Sequence, residues 1–366
     1  MYESIHIKRF RQFQELSLSG LTRVNLFVGR NNAGKTSILE AIELLAFGAT
    51  PPALLRSGQR RGERLAPHVS LRDAPARWAS LVDLRHLFFG HKIEEGTSFA
   101  LWGRSGTSET LVQCEVTQVL RDEAQLEMAA DRVEVGPQLA LSLTGRNHAG
   151  PPIVVPLSPD GSALSETRIR PATAGAQEPP TPVVFLAIDG SEPRELARTW
   201  GKIVLTPEED KVTAAMRFVE PAIERLAFGA DASDSGVVVK LKGSELPVPL
   251  GSLGDGSRRM LALALLLARA SSGVLLVDEI DTGLHYSTLE SMWRLVIETA
   301  RRLNVQIFAT THSGDCTRAL AWLQADAPEL AAEVSVHRIE KGATEAVRYS
   351  AEELEIAAQH HIEIRG

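Results

Sequence analysis

The hydrophobic pattern of this chain rests on short runs that stay apolar or β-branched at nearly every position: Val24–Val28, Val183–Leu186, Val274–Val277 and Gln306–Thr310. A strand covered on both faces reads this way, because neither side of its pleat meets water. Between these runs, apolar residues recur at helical spacing over 38–45, 258–270 and 288–302. From Ser252 onward helix and strand alternate, which predicts a mainly parallel α/β sheet. Another helix is predicted after Thr206-Pro207-Glu208-Glu209, with Thr206 as N-cap, Pro207 in the first turn and Glu209 closing a capping box. Val212, Ala215, Met216 and Val219 form its apolar stripe, and Pro221 should kink or restart it.

A second pattern has period two. Alternation at 5–7 and 16–18 predicts a strand pair ahead of the first apolar run. From Ser98 to about Arg170, short strands at 99–102, 111–116 and 139–143 are separated by turns rich in Gly, Ser and Arg. They predict an antiparallel β lobe inserted between two halves of an α/β core. Residues 150–182 are rich in Pro, Gly, Ala and Ser and read as a long loop or hairpin tips. The chain has no internal repeat and no heptad run, which argues against a long coiled-coil arm.

Composition narrows the class. The 366 residues allow one large domain or two ordinary ones, and 44% hydrophobic with 23% charged residues is the balance of a soluble globular protein. The longest uncharged apolar run, 260–268, is closed by Arg259 and Arg269. It falls far short of the roughly 20 residues a membrane span needs. Met1-Tyr2-Glu3-Ser4 lacks the basic and apolar regions of a secretory signal, and only Cys114 and Cys316 are present. The expected setting is a reduced cytoplasm, away from membranes. A net charge of −7 argues against coating nucleic acid by bulk electrostatics, while leaving local contacts open. Arg56, Arg60, Arg61 and Arg64 cluster in a Pro/Gly-flanked stretch and read either as a solvated loop or as a contact to DNA phosphates or an acidic partner.

The chemistry enters at Gly29-Arg30-Asn31-Asn32-Ala33-Gly34-Lys35-Thr36-Ser37, which fills the template G-x-x-x-x-G-K-[ST] between a predicted strand and a predicted helix. Gly29 and Gly34 let the backbone curl so that its N–H groups point inward, and the following helix adds its positive end. Lys35, in an exposed loop, would reach the β- and γ-phosphates, and Thr36 would place its hydroxyl on Mg²⁺. The run Val274–Val277 ends in Asp278-Glu279. A strand-end Asp suits Mg²⁺, and a second carboxylate beside it can polarise an attacking water. Asp278 is therefore the expected metal residue and Glu279 the expected catalytic one.

Two further segments carry a resemblance. Ser252-Leu253-Gly254-Asp255-Gly256-Ser257-Arg258-Arg259 precedes the helix before the acidic strand, and Thr310-Thr311-His312-Ser313 follows the next strand. With these the sequence resembles the ABC-type ATPases of the RecF/SMC/OLD group. The paired Asn31-Asn32, the run Asp278-Glu279-Ile280-Asp281-Thr282-Gly283-Leu284-His285 and the Thr-His-Ser ending look most like the OLD type, many of whose members act in prokaryotic anti-phage defence. The motifs cover roughly 5–50 and 183–314; the middle lobe matches by position only.

The resemblance implies a P-loop NTPase fold, an ABC-type ATPase head in one domain over 1–366. Its parts would be a phosphate-loop half (1–50), an inserted helical and antiparallel β lobe (51–182), and a half (183–366) carrying signature, acidic strand and His switch. It implies ATP and Mg²⁺ as cofactors. Ser252, Gly254, Asp255 and Gly256 would close over ATP bound to another subunit, and His312 would contact the γ-phosphate. An ATP-dependent dimer controlling a separate effector, commonly a nuclease, is the leading expectation; a RecF-like ATPase that clamps DNA is the alternative. A nucleotide switch with negligible turnover would have no need of Glu279. The signature differs from the Leu-Ser-Gly-Gly-Gln of transporters. No second acidic metal site suggests an appended Toprim nuclease. Gln113 and Gln118 are candidates for the family's Gln loop, and His285 reads as an interface residue or a surface helix start.

Overall fold

The four apolar runs all enter one sheet. In a computed structural model of the chain, the described residues are 1–63, 81–120, 137–145, 152–157, 162–164, 181–190, 193–217, 219–229 and 236–364. The core sheet runs in the order Val183–Leu186, Val274–Val277, Gln306–Thr310, Val24–Val28, Val334–Arg338, all parallel, with the short antiparallel Val347–Tyr349 at one edge. Leu275 and Val277 point into one hydrophobic cluster and Val274 and Leu276 into another. This is why the run carries no polar alternation. The first cluster gathers the helices Asp255–Arg269, Leu289–Leu303 and Gly314–Asp326. The second joins the core sheet to a six-stranded antiparallel sheet.

That antiparallel sheet runs Phe13–Ser19, Ser4–Phe10, Ser98–Ser105, Ser108–Leu120, Pro137–Gly145, Ile153–Pro156. The strand pair before the phosphate loop is thus part of the lobe. Ile7 pairs with Leu16 on one side and with Leu101 on the other. Ile5, Ile7, Leu16 and Leu18 need cover on one face, and Phe99 and Leu101 continue that buried face. The stretch expected as a loop over 150–182 contains the outer strand Ile153–Pro156, and Ser162–Leu164 pairs with Leu81–Asp83. Its residues 158–161 and 165–180 lie outside the described residues.

The helix Lys35–Phe47 lies between the two sheets, against Val183–Leu186, Val274–Val277 and Gln306–Thr310 on one side and Ser98–Ser105 and Ser108–Leu120 on the other. Residues 37–45 are all buried, Glu40 and Glu43 included. Buried carboxylates must be paired to be tolerated, and the arginine cluster does the pairing. The stretch that carries it is the helix Pro51–Arg61, opened by Pro51 and Pro52. Arg60 holds both carboxylate oxygens of Glu43, at 2.9 Å to Oε1, while Arg61 Nε donates to Glu40 Oε1 at 2.7 Å. Arg60 also lies over the Phe185 ring and Arg56 over Phe47. Arg60 and Arg61 are therefore turned onto the chain's own carboxylates from a helix, which corrects the expectation of a solvated loop for them; Arg64 lies outside the described residues. Arg11, in the turn of the N-terminal hairpin, completes the group: it donates to Glu63 at 2.8 Å, and its Nε lies 2.5 Å from Glu40 without hydrogen-bond alignment.

The helix Pro207–Met216 starts as expected, with Thr206 Oγ1 accepting from the Glu208 amide. Glu209 accepts from the amide of Leu205 rather than that of Thr206, so the capping box is displaced by one residue. The helix stops at Met216, short of Val219 and Pro221, and the Arg217 side chain donates to the Ile223 carbonyl at the start of the strand Ile223–Phe228. Among the described residues no helix is long and apolar enough to cross a membrane, and no group of three or more His, Cys, Asp or Glu is placed to hold a metal.

Candidate nucleotide site

The phosphate loop leaves the strand Val24–Val28 through residues with positive φ at Gly29 (150°), Asn32 (61°) and Gly34 (102°), and enters the helix at Lys35. Crowding as well as conformation demands the two glycines. A Cβ at Gly29 would lie 2.5 Å from the Ile339 carbonyl oxygen, and one at Gly34 would lie 2.3 Å from the Phe13 ring. Asn31 and Asn32 are exposed, while Ala33 is buried. Lys35, expected in an exposed loop, is only 6% exposed: its ammonium tucks under the loop and donates to the carbonyls of Gly29 (2.8 Å) and Arg30 (3.1 Å). The Ser37 hydroxyl accepts from Arg61 at 3.2 Å. Burial lowers the proton affinity of Arg61, but Glu40, Glu63 and Asp278 outweigh it and the net shift is upward.

Thr36 Oγ1 lies 3.1 and 3.0 Å from the two carboxylate oxygens of Asp278. A hydroxyl and a carboxylate brought together are hard oxygen donors of the kind Mg²⁺ takes, beside a helix N-terminus suited to phosphate. The residues present fit Mg²⁺-ATP.

Asp278 also accepts from Thr310 Oγ1 at 2.7 Å, and the same hydroxyl accepts from the Glu279 amide at 2.8 Å. Glu279 has φ of 49°. Its Oε2 lies 2.6 Å from His312 Nδ1 and 3.2 Å from the His312 amide. The carboxylate is 13% exposed and the imidazole 58%, so the pair opens outward through the histidine. Behind it, Arg259 donates to the main-chain carbonyls of Ala187 (2.7 Å), Asp278 (2.5 Å) and Glu279 (2.7 Å). Burial pulls its proton affinity down to about 10, although the charges of Asp278, Asp281, Glu279 and Asp189 push the other way. Thr311 holds Asp281 at 2.6 Å.

The signature forms a separate exposed turn. Ser252 belongs to the turn Leu250–Leu253, Gly254 has φ of 90°, and the helix starts at Asp255, earlier than the 258 expected from its apolar spacing. Asp255 in the first turn suits the helix dipole, which explains the earlier start. Ser252, Gly254 and Asp255 are exposed, while a Cβ on Gly256 would press within 2.8 Å of the Gly283 carbonyl.

The structure thus brings Thr36 to Asp278 and Glu279 to His312, and joins the signature helix to the acidic pair through Arg259. Thr310, Thr311 and Arg259 belong to the motif segments, but the bonds they make to Asp278, Asp281 and the strand-end carbonyls are seen only in the structure. Gln118 pairs with Glu95, and Gln113 sits within the antiparallel sheet. The glutamine at the phosphate loop is Gln12, which donates to the Asn32 carbonyl at 3.2 Å. His285 caps the turn Tyr286–Thr288, the behaviour of a surface helix start.

Comparison with known proteins bears on the fold and the activity. Residues 1–50 match the family described as "AAA ATPase domain", and residues 205–315 the family described as "AAA domain, putative AbiEii toxin, Type IV TA system". A Helicobacter pylori protein described as an ATP/GTP phosphatase is 22% identical over 334 residues, spanning 86% of this chain and 85% of that protein. The DNA replication and repair protein RecF of Idiomarina loihiensis is 48% identical over 46 residues, 13% of each chain. Among solved structures, an Smc head domain with an extended coiled coil from Pyrococcus furiosus is 12% identical, with a TM-score of 0.50 over 99% of both chains, a likeness of fold. The chain has the fold of an ABC-type ATPase head built on a P-loop, and it is an ATPase, converting ATP and water to ADP and phosphate.

Proposed function

We propose that two copies of this chain close around ATP and that the closed state controls a separate effector, a nuclease acting in cytoplasmic anti-phage defence. The observation that best supports the first half is the division of the site. Phosphate loop, Asp278, Glu279 and His312 form one cluster, while the turn through the exposed Ser252, Gly254 and Asp255 presents a helix N-terminus to solvent. A second copy would supply that turn to the terminal phosphate.

In this reading the loop amides and Lys35 hold the β- and γ-phosphates, and Thr36 and Asp278 hold Mg²⁺, which neutralises phosphate charge when bound. Glu279 takes the proton of the attacking water, and His312 fixes one oxygen of its carboxylate, leaving the other for the water. Ser252→Arg should leave nucleotide binding nearly unchanged and abolish association and hydrolysis, because a bulky cation occupies the γ-phosphate contact. Mixed with Lys35→Ala, it should regain part of the activity, since the heterodimer holds one intact composite site. No rescue in a verified heterodimer would count against the dimeric site. A nuclease reading frame beside this one would favour defence.

The short match to RecF favours a second reading, an ATP-driven clamp on DNA. The net charge of −7 and the inward-turned Arg60 and Arg61 weigh against it. ATP-dependent retention on circular DNA, lost on linearisation, would decide for it.

A further inference from the structure

Arg259 has partners that neither the phosphate loop nor the signature explains. It lies near the start of the helix Asp255–Arg269, is 6% exposed, and gives its guanidinium to three main-chain carbonyls at the ends of two core strands: Ala187, Asp278 and Glu279. Its Nε is buried without a hydrogen-bond partner. A buried cation facing carbonyls is an expensive arrangement to keep for packing alone. Two of those carbonyls flank the point where the backbone turns into the left-handed region, at Glu279. L residues avoid that region unless their surroundings hold them there, and such outliers gather at functional sites.

We propose that Arg259 is a positioning residue for Glu279. It fixes the Asp278–Glu279 carbonyls in the turn that brings the Glu279 carboxylate to His312. Because Arg259 is carried by the signature helix, it also ties the placement of Glu279 to the signature turn of the same chain. In a dimer, ATP gripped by one chain's signature would thereby act on that chain's own hydrolytic carboxylate, linking the two sites. The first part rests on Glu279 as the base, and the link rests on the composite site proposed above.

The test uses the full chain with Arg259→Met and Arg259→Lys. Arg259→Met should lower kcat by about 10²-fold, the scale of a misplaced catalytic group. ATP affinity, read with a fluorescent analogue, should stay within about 3-fold, because the phosphate loop is untouched. Arg259→Lys should fall between, since one ammonium cannot reproduce a planar fork on three carbonyls. Undiminished kcat, or affinity lost as much as turnover, overturns the proposal. If circular dichroism shows that the Met variant does not fold, the Lys variant is judged by the same two criteria.

Mixing separates the role from mere support of the signature. An Arg259→Met chain keeps a sound phosphate loop and can borrow a sound signature from a Lys35→Ala partner. Rescue in that mixture would mean that Arg259 serves the signature and would overturn the proposal. No rescue, while Ser252→Arg with Lys35→Ala does recover, is the expected result. If the Ser252→Arg mixture also fails, the composite site falls, and kcat against affinity in Arg259→Met alone still decides the role of Arg259.

Discussion

Glu279 holds a backbone conformation that costs an L residue about 1–2 kcal/mol, and the Thr310 hydroxyl, the Arg259 guanidinium and the His312 contact keep it there. Its side chain is thereby fixed before any substrate arrives. Glu279→Gln retains the shape of that side chain but cannot accept a proton. Phosphate release should fall by about 10²–10⁴-fold, with ATP binding retained and a larger species in light scattering when ATP is added. Undiminished turnover would move the base elsewhere. Residues 29–37, Asp278-Glu279 and His312 were legible in the sequence because each lies in a contiguous motif whose chemistry depends on local order. The roles of Arg259, Thr310 and Gln12 were not, because these residues work by bonding main-chain atoms or strand ends far away in the chain. Such partners leave no local pattern.

At the scale of elements, the helix Lys35–Phe47 stands out for having no face turned to water over most of its length. Even its two carboxylates are covered, Glu40 at 1% and Glu43 at 2% exposed. Two acidic residues inside an apolar helix, followed by a run of arginines, were the available signal for the buried pairing; only the geometry of two packed helices turns it into contacts. Glu40→Ala leaves Arg11, itself 5% exposed, with Glu63 and Ser57, and leaves Arg61 with Ser37 and a weaker 4.0 Å approach to Glu63. Removing one member of a network that keeps its other pairings should cost about 1.5–3 kcal/mol, read from the urea unfolding midpoint. A loss under about 0.5 kcal/mol would mean that the network carries no weight. The doubly covered strands were the most readable elements, since burial on both faces writes itself as an apolar run. Membership of Ser4–Phe10 in the lobe was hidden, because a one-faced strand does not reveal which neighbour it will join.

For the whole molecule, the proposed closure of two copies around ATP would link nucleotide binding to association. A ligand bound only by the folded, closed pair stabilises it by mass action, by about 2.7 kcal/mol at a hundredfold excess over Kd. ATP should raise the thermal midpoint of Glu279→Gln, more at higher protein concentration, and should not move that of Lys35→Ala. A midpoint independent of protein concentration would speak for a monomeric site.

The place of Val24–Val28 in the core sheet bears on how the chain is made. It is flanked by Gln306–Thr310 on one side and Val334–Arg338 on the other. During synthesis this strand emerges long before either neighbour, each of which lies far along the chain from it. Until then its two edges stay unpaired, next to an N-terminal hairpin that itself awaits Ser98–Ser105. Pairings so distant in sequence fold slowly and leave sticky surface open to the wrong partners. The strand that leads into the phosphate loop is made long before its sheet can close around it, and over that interval the nascent chain needs shelter.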